Sequence, residues 1–148
     1  MKILIRSLTE TDFLEWSGLW QQYLTFYGTQ LSEEIYKNTF KKLININIKS
    51  QNAFVAETSN KLIGLVYYIY HNDNWKLEDA TYLQDLYTVP EFRGQGAGRL
   101  LIEAVYKAAD DNNCPTVYWQ TEQSNKTARV LYDKIAKLAP FIIYERQF

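Results

Sequence analysis

Tyr82-Leu83-Gln84-Asp85-Leu86-Tyr87-Thr88-Val89-Pro90-Glu91-Phe92-Arg93-Gly94-Gln95-Gly96-Ala97-Gly98-Arg99-Leu100-Leu101 is the stretch that decides the fold. Its first half is a short, mostly apolar run of aromatic and β-branched residues, which is strand composition. Pro90 closes that strand, because it has no N–H to give to a ladder. Gly94, Gly96 and Gly98 then alternate through a loop. Leu100, Leu101, Ala104, Val105 and Ala108 follow at spacings of three and four, which predicts an amphipathic helix. A strand, a glycine turn and a helix N-terminus in that order make an anion site. The free N–H groups of the first helical turn point outward, the helix dipole favours negative charge, and glycine lets the backbone come close. The amides of residues 94–99 (Gly94, Gln95, Gly96, Ala97, Gly98 and Arg99) are therefore expected to hold a phosphate, with Arg93 and Arg99 adding charge.

Two common phosphate loops are excluded. The third glycine does not fall at the spacing of the dinucleotide fingerprint, and no acidic residue follows at the expected distance. No Gly-Lys-Ser/Thr is present for a nucleotide triphosphate loop.

Arg93-x-x-Gly96-x-Gly98 after a strand instead resembles the coenzyme A pyrophosphate loop of the GNAT superfamily of N-acetyltransferases. Trp119-x-Thr121 followed by Asn125-x-x-Ala128-x-x-Leu131-Tyr132 is similar to the second half of that family's cofactor site. The resemblance runs over Trp16 to Tyr27, Tyr82 to Tyr87 and Val117 to Tyr144, and is greatest to the histone and polyamine acetyltransferase branch. It implies acetyl-CoA as cofactor, with Asn125 on the pantetheine arm or its phosphates and Tyr132 as proton donor to the departing thiolate. It also implies that Trp20 and Phe26-Tyr27 wall an acceptor pocket; Tyr23, Tyr27 and Trp119 are the expected acceptor contacts. Backbone N–H groups of Leu86, Tyr87 and Thr88, freed by a bulge, are expected to hold the thioester oxygen.

Relatives in that branch often read Leu-Glu-Asp in the central strand, where this chain reads Leu83-Gln84-Asp85. A carboxylate is thus absent at Gln84. Asp85 remains, and strand alternation turns it to the opposite face unless a bulge re-aims it. Asp85, Gln84 and Tyr132 are the candidate catalytic residues.

The remaining sequence reads as a single domain over 1–148. Strands are expected at 2–6, 52–57, 62–70, 82–88, 116–122 and 141–144, and helices over Phe13–Leu24, from Ser32 to Ile44 and on towards Ile48, from Leu100 to Ala108, and from Ser124 or Asn125 to Leu138. The expected architecture is α/β: a mixed, mostly antiparallel, GNAT-like sheet of six to seven strands with helices on both faces. The acceptor pocket is expected from residues 23–36, loop 71–79 and the far end of the sheet. The terminal run from Phe141 to Phe148 is expected to pair as an edge strand with a second copy, giving a homodimer.

Composition narrows the function. Basic and acidic residues number 16 and 17, which argues against nucleic acid or an acidic membrane as partner. Cys114 is the single cysteine, so no internal disulfide forms, as suits the cytoplasm. It has no nearby base and precedes Pro115, the setting of an inert thiol. His71 is the single histidine, which disfavours a metal site or a Ser-His-acid triad, and no metal is expected. The leading expectation is direct acetyl transfer to a primary amine of a small molecule such as a polyamine or amino acid. The alternatives are a protein lysine or N-terminus as acceptor, a non-catalytic acyl-CoA sensor, and an interaction protein.

Overall fold

The computed structural model describes residues 1–147. The chain runs β1 (Leu4–Ser7), α1 (Phe13–Phe26), α2 (Glu33–Ile44), β2 (Gln51–Thr58), β3 (Lys61–His71), β4 (Ala80–Thr88), α3 (Ala97–Asp111), β5 (Val117–Tyr118) and α4 (Lys126–Ile135). One sheet orders its strands as in the sequence, β1 to β5. β1 to β4 pair antiparallel, and β5 joins β4 in parallel through only two residue pairs, Thr81↔Val117 and Tyr82↔Tyr118.

Local chemistry explains most boundaries. The Ser32 hydroxyl caps α2 by accepting from the Ile35 N–H at 3.3 Å, with Glu33 and Glu34 in the first turn. Ser59 and Asn60 both take positive φ, 49° and 60°, and so close the two-residue hairpin between β2 and β3. The chain meets its end signals at Asn112, Asn113 (φ 56°) and Pro115 and stops α3 there.

β3 separates two packed layers. Tyr67 faces α1: its hydroxyl accepts the Trp16 indole N–H at 2.8 Å, and its ring meets Trp20 edge-on. The alternate residues face α3: Gly64 lies under Leu101, and the Tyr70 hydroxyl donates to the Ala108 carbonyl at 3.3 Å. Trp16, Ile63, Leu65, Leu101, Ile102 and Val105 are fully buried. Arg6 ties β1 down by donating to Asp12 at 2.8 and 3.0 Å and to Glu57 at 3.1 Å, and it holds the Asp12 carboxyl below the usual carboxylate range.

Three expectations about the sheet are corrected. Among the described residues it has five strands, not six to seven. The expected strand at 116–122 shrinks to Val117–Tyr118, because β5 leaves β4 after Tyr82. The expected strand at 141–144 does not form: Phe141, Ile142, Ile143 and Tyr144 are exposed and pair with nothing in the sheet. β propensity alone makes no strand without a neighbouring edge. Phe148 lies outside the described residues. α4 also ends at Ile135, short of Leu138, and Ile48 lies beyond the end of α2.

Gly64 sits where no side chain fits. A Cβ there would lie 2.9 Å from the Tyr87 carbonyl oxygen and 3.2 Å from Leu101. Gly64→Ala should destabilise the protein by about 1–3 kcal/mol, through overpacking between two strands and α3. Urea unfolding checks this, and an unchanged midpoint would refute the close approach.

Candidate active site

β4 carries the site. In a regular strand Gln84 and Asp85 would face opposite sides of the sheet. Here the register passes from Tyr67↔Asp85 to Tyr68↔Leu83, so Gln84 is an extra residue in β4. This bulge re-aims the strand. Gln84 and Asp85 consequently line one cavity of about 230 Å³ beneath α1 and α2, together with Trp20, Tyr67 and Lys42.

Asp85 is held by two donors. The Trp20 indole N–H reaches Oδ2 at 3.1 Å and the Tyr23 hydroxyl reaches Oδ1 at 3.2 Å. Burial raises its pKa above the ordinary carboxylate value, and the two hydrogen bonds pull part of that rise back. The result is a fixed carboxylate that takes up a proton more readily than one in water. Burial and the Asp85 charge together keep the Tyr23 hydroxyl protonated.

A line of aromatic rings leads away from Asp85. Tyr23 packs on Tyr27 with centroids 5.0 Å apart. Tyr27 lines a second cavity, also about 230 Å³, with Phe26, Glu122, Ser124 and Asn125. Tyr132 lies close enough for Tyr27 to affect its titration. Burial is the larger cause, and it pushes the Tyr132 hydroxyl up to about 12. At neutral pH Tyr132 therefore carries its proton and is available as a donor.

The glycine loop is built as an anion cradle. Gly94 and Gly96 take φ of 75° and 90°, and a Cβ on either would meet only open space, so the loop surface is clear for a ligand. Gly96 is the N-cap of α3, and the first helical bond runs from the Leu100 N–H to the Gly96 carbonyl at 3.0 Å. Among the described residues the N–H groups of 94–99 have no acceptor. Gly98 has ordinary helical backbone; its Cα approaches Leu131 of α4, 3.6 Å from a Cβ placed there.

β4 also offers an open edge. Val89 N–H donates to the Ile63 carbonyl at 2.8 Å, on the β3 side. Strand alternation then turns the Leu86 and Thr88 N–H groups away from β3, to the side that β5 has left. The expected bulge does not free Leu86, Tyr87 and Thr88 as such. It lies at Gln84, and residues 86–88 keep their regular pairing with Val66, Leu65 and Gly64. The open edge arises from the departure of β5.

Other expected residues are placed differently from the reading by motif. The Arg93 guanidinium rests over Phe26 and Tyr87, 5.9 and 5.5 Å from their ring centres, and donates to the Thr88 carbonyl at 2.9 Å. Arg99 pairs with Glu103 one turn on, at 2.7 Å. Asn125 donates to Thr121 at 3.2 Å and lines the second cavity. Trp119 lines neither cavity; it lies between Tyr106 and Tyr132, edge-on to Tyr132 at 5.4 Å, and so fixes the Tyr132 ring. Loop 71–79 lines neither cavity either, and its Trp75 and Leu77 are fully exposed. Sequence reasoning missed Lys42 and Glu122. Leu31, Ile35, Thr39 and Lys42 recur at three and four, the one sign that Lys42 shares a face with the pocket wall.

Comparison with known proteins agrees with this geometry. Residues 8–136 match the Acetyltransferase (GNAT) family. The chain belongs to the GNAT acetyltransferase family. It is 34% identical over 146 residues to the D-amino-acid N-acetyltransferase HPA3 of Saccharomyces cerevisiae, covering 98% of this chain and 91% of that one. It is 39% identical over 69 residues to the thialysine N-epsilon-acetyltransferase of Bos taurus, covering 47% of this chain and 39% of that protein. Among solved structures, the ribosomal-protein-alanine N-acetyltransferase of Brucella melitensis biovar Abortus 2308 superimposes with a TM-score of 0.83 at 20% identity, covering 100% of both chains. The aminoglycoside N-acetyltransferase AAC(6')-Iy, solved with a bisubstrate analogue of coenzyme A, superimposes with a TM-score of 0.86 at 17% identity, covering 100% of this chain and 99% of that one. These two structures share the fold. The protein is thus a GNAT-type acetyltransferase, and an enzyme rather than a sensor or an interaction module.

The Asp85 environment gives a direct test. Tyr23 donates to Asp85 and lowers its pKa. Tyr23→Phe removes that donor, so the Asp85 carboxyl should titrate at higher pH than in the parent. Carbon-13 NMR of labelled aspartate reads this, and a midpoint unchanged or lowered would contradict the arrangement.

Proposed function

We propose that this acetyltransferase moves an acetyl group from acetyl-CoA directly to a primary amine of a small molecule, such as an amino acid or a polyamine. The observation that carries the reading is Asp85: the bulge at Gln84 brings its carboxylate into a cavity beneath α1 and α2, at the head of the tyrosine line to Tyr132. The small-molecule acceptors named for the yeast and bovine relatives support it.

Acetyl-CoA would be held by the amides of residues 94–99, by Asn125 and by the open edge of β4. When bound it supplies an activated acetyl thioester. The donor set fits: free N–H groups and a helix N-terminus suit a diphosphate, and an open strand edge suits an amide-bearing arm.

The chain's own residues then handle protons. An alkyl amine has a pKa of about 10.4, so only about one in 10³ is neutral at pH 7. Asp85 accepts the amine's proton, and its raised pKa makes it a stronger base than an ordinary carboxylate. Gln84 carries no charge and serves to orient the amine. Leu86 and Thr88 N–H groups stabilise oxygen charge as it develops. Tyr132 gives its proton to the departing sulfur. Transfer is direct, since burial holds the Cys114 thiol protonated and no acetyl carrier on the chain is needed.

The exposed run Phe141-Ile142-Ile143-Tyr144 and the short, open-edged β5 support a homodimer in which this segment of one copy pairs with the sheet of the other. A lone cysteine without a disulfide fits a cytoplasmic setting.

Mass spectrometry of a mixed amine pool with acetyl-CoA should show N-acetylated small amines and matching release of coenzyme A. No product from any amine would sink the proposal. Tyr132→Phe should lower kcat by roughly 10²-fold or more while acetyl-CoA Kd changes little; an unaltered kcat with chemistry rate-limiting removes Tyr132 from the donor role. Truncation after Pro140 should convert a dimer to a monomer in sedimentation velocity, and an unshifted coefficient argues against the arm.

A further inference from the structure

We infer that Lys42 recognises a carboxylate on the acceptor, so that the preferred substrate is an amino acid rather than a polyamine. The inference rests on the acceptor reading of the Asp85 cavity. Lys42 lies in the last turn of α2 and lines that cavity half-buried, whereas Lys37 and Lys41 of the same helix are exposed to water. Among the described residues Lys42 has no ion pair: the carboxylates engaged by cations are Asp12, Glu57, Glu103 and Asp111, none of them paired with Lys42. An ammonium at the cavity wall with no anion beside it is free to meet one that a ligand brings.

The charge balance of the cavity is selective. It is lined by one carboxylate, Asp85, and one ammonium, Lys42; Gln84 adds polarity without charge. A zwitterion matches that pair, with its ammonium towards Asp85 and its carboxylate towards Lys42. A polyamine fits poorly. Its second ammonium would find no second carboxylate, because Gln84 stands beside Asp85, and it would face Lys42 instead. Like charges set side by side in a shielded pocket reject a partner more strongly than a neutral wall does. Leu31, Ile35 and Leu43 give the lining an apolar side that suits a hydrocarbon side chain, and Thr39 and Gln51 add uncharged polar groups.

The test compares phenylalanine of either hand, phenethylamine and spermidine as acceptors, for the parent, Lys42→Met and Lys42→Arg. In the parent, kcat/KM should be highest for the amino acid. Lys42→Met should raise KM for phenylalanine tenfold or more with kcat nearly kept, and leave phenethylamine within twofold. Lys42→Arg should restore most of the loss, as a merely structural lysine replaced by methionine would not require. Circular dichroism melting confirms that each variant is folded. An equal effect on phenylalanine and phenethylamine, no effect on either, or spermidine as the best parent substrate overturns the role of Lys42 while leaving amine acetylation standing. No turnover of any of the three by the parent overturns the acceptor reading itself, and this inference with it.

Discussion

One extra residue in β4 sets the geometry of the candidate site. Without it, Asp85 would keep the face that alternation assigns, apart from Gln84. With it, the two neighbours share a cavity, and Trp20 and Tyr23 of α1 close on the carboxylate from above. The bulge thus links the sheet to α1 through two hydrogen bonds to one side chain. It also explains why α1 is so aromatic at its C-terminal half. The rings at positions 16, 20, 23 and 27 line up along the strand and meet β4 where it is kinked.

A second constraint acts on the other side of the same strand. β5 holds β4 over two residue pairs and then departs, so the second half of β4 has a neighbour on one edge only. An unpaired inner strand edge is normally a liability. Here it opens beside the glycine loop and the N-terminus of α3, which have free N–H groups of their own. The strand edge and the loop thus follow one another along the chain, each with N–H groups that no backbone acceptor takes up among the described residues. α4 packs against this region, through Leu131 against Gly98 and Tyr132 against Trp119. Of the two arginines that flank the turn, Arg93 lies on aromatic rings and Arg99 pairs with Glu103.

Much of this was legible in the residues. The strand–glycine–helix order, the Ser32 cap, the hairpin at Ser59-Asn60 and the stop before Pro115 all follow from rules that act within a few positions. The family resemblance came from the same local spacings. Where such rules were extended they failed in a consistent way. The run 141–144 has strand composition and forms no strand, because a strand needs a paired neighbour and this run pairs with none of the five. Trp119 sits in a motif associated with the site, yet it packs behind Tyr132. Loop 71–79 was expected at the acceptor pocket, and it lies away from the Asp85 cavity, whose wall comes from α1, α2 and the sheet.

The sequence by itself determined the four helices, the first four strands, their order and the glycine turn before α3, because backbone conformation and capping depend on nearest neighbours. Tertiary structure alone decided which face Asp85 takes, that Lys42 enters its cavity, and that β5 parts from β4. Each of these depends on strand register and on contacts between residues far apart in the chain: a single unpaired residue at 84, set by how β3 and β4 align, moves a carboxylate from one side of the sheet to the other.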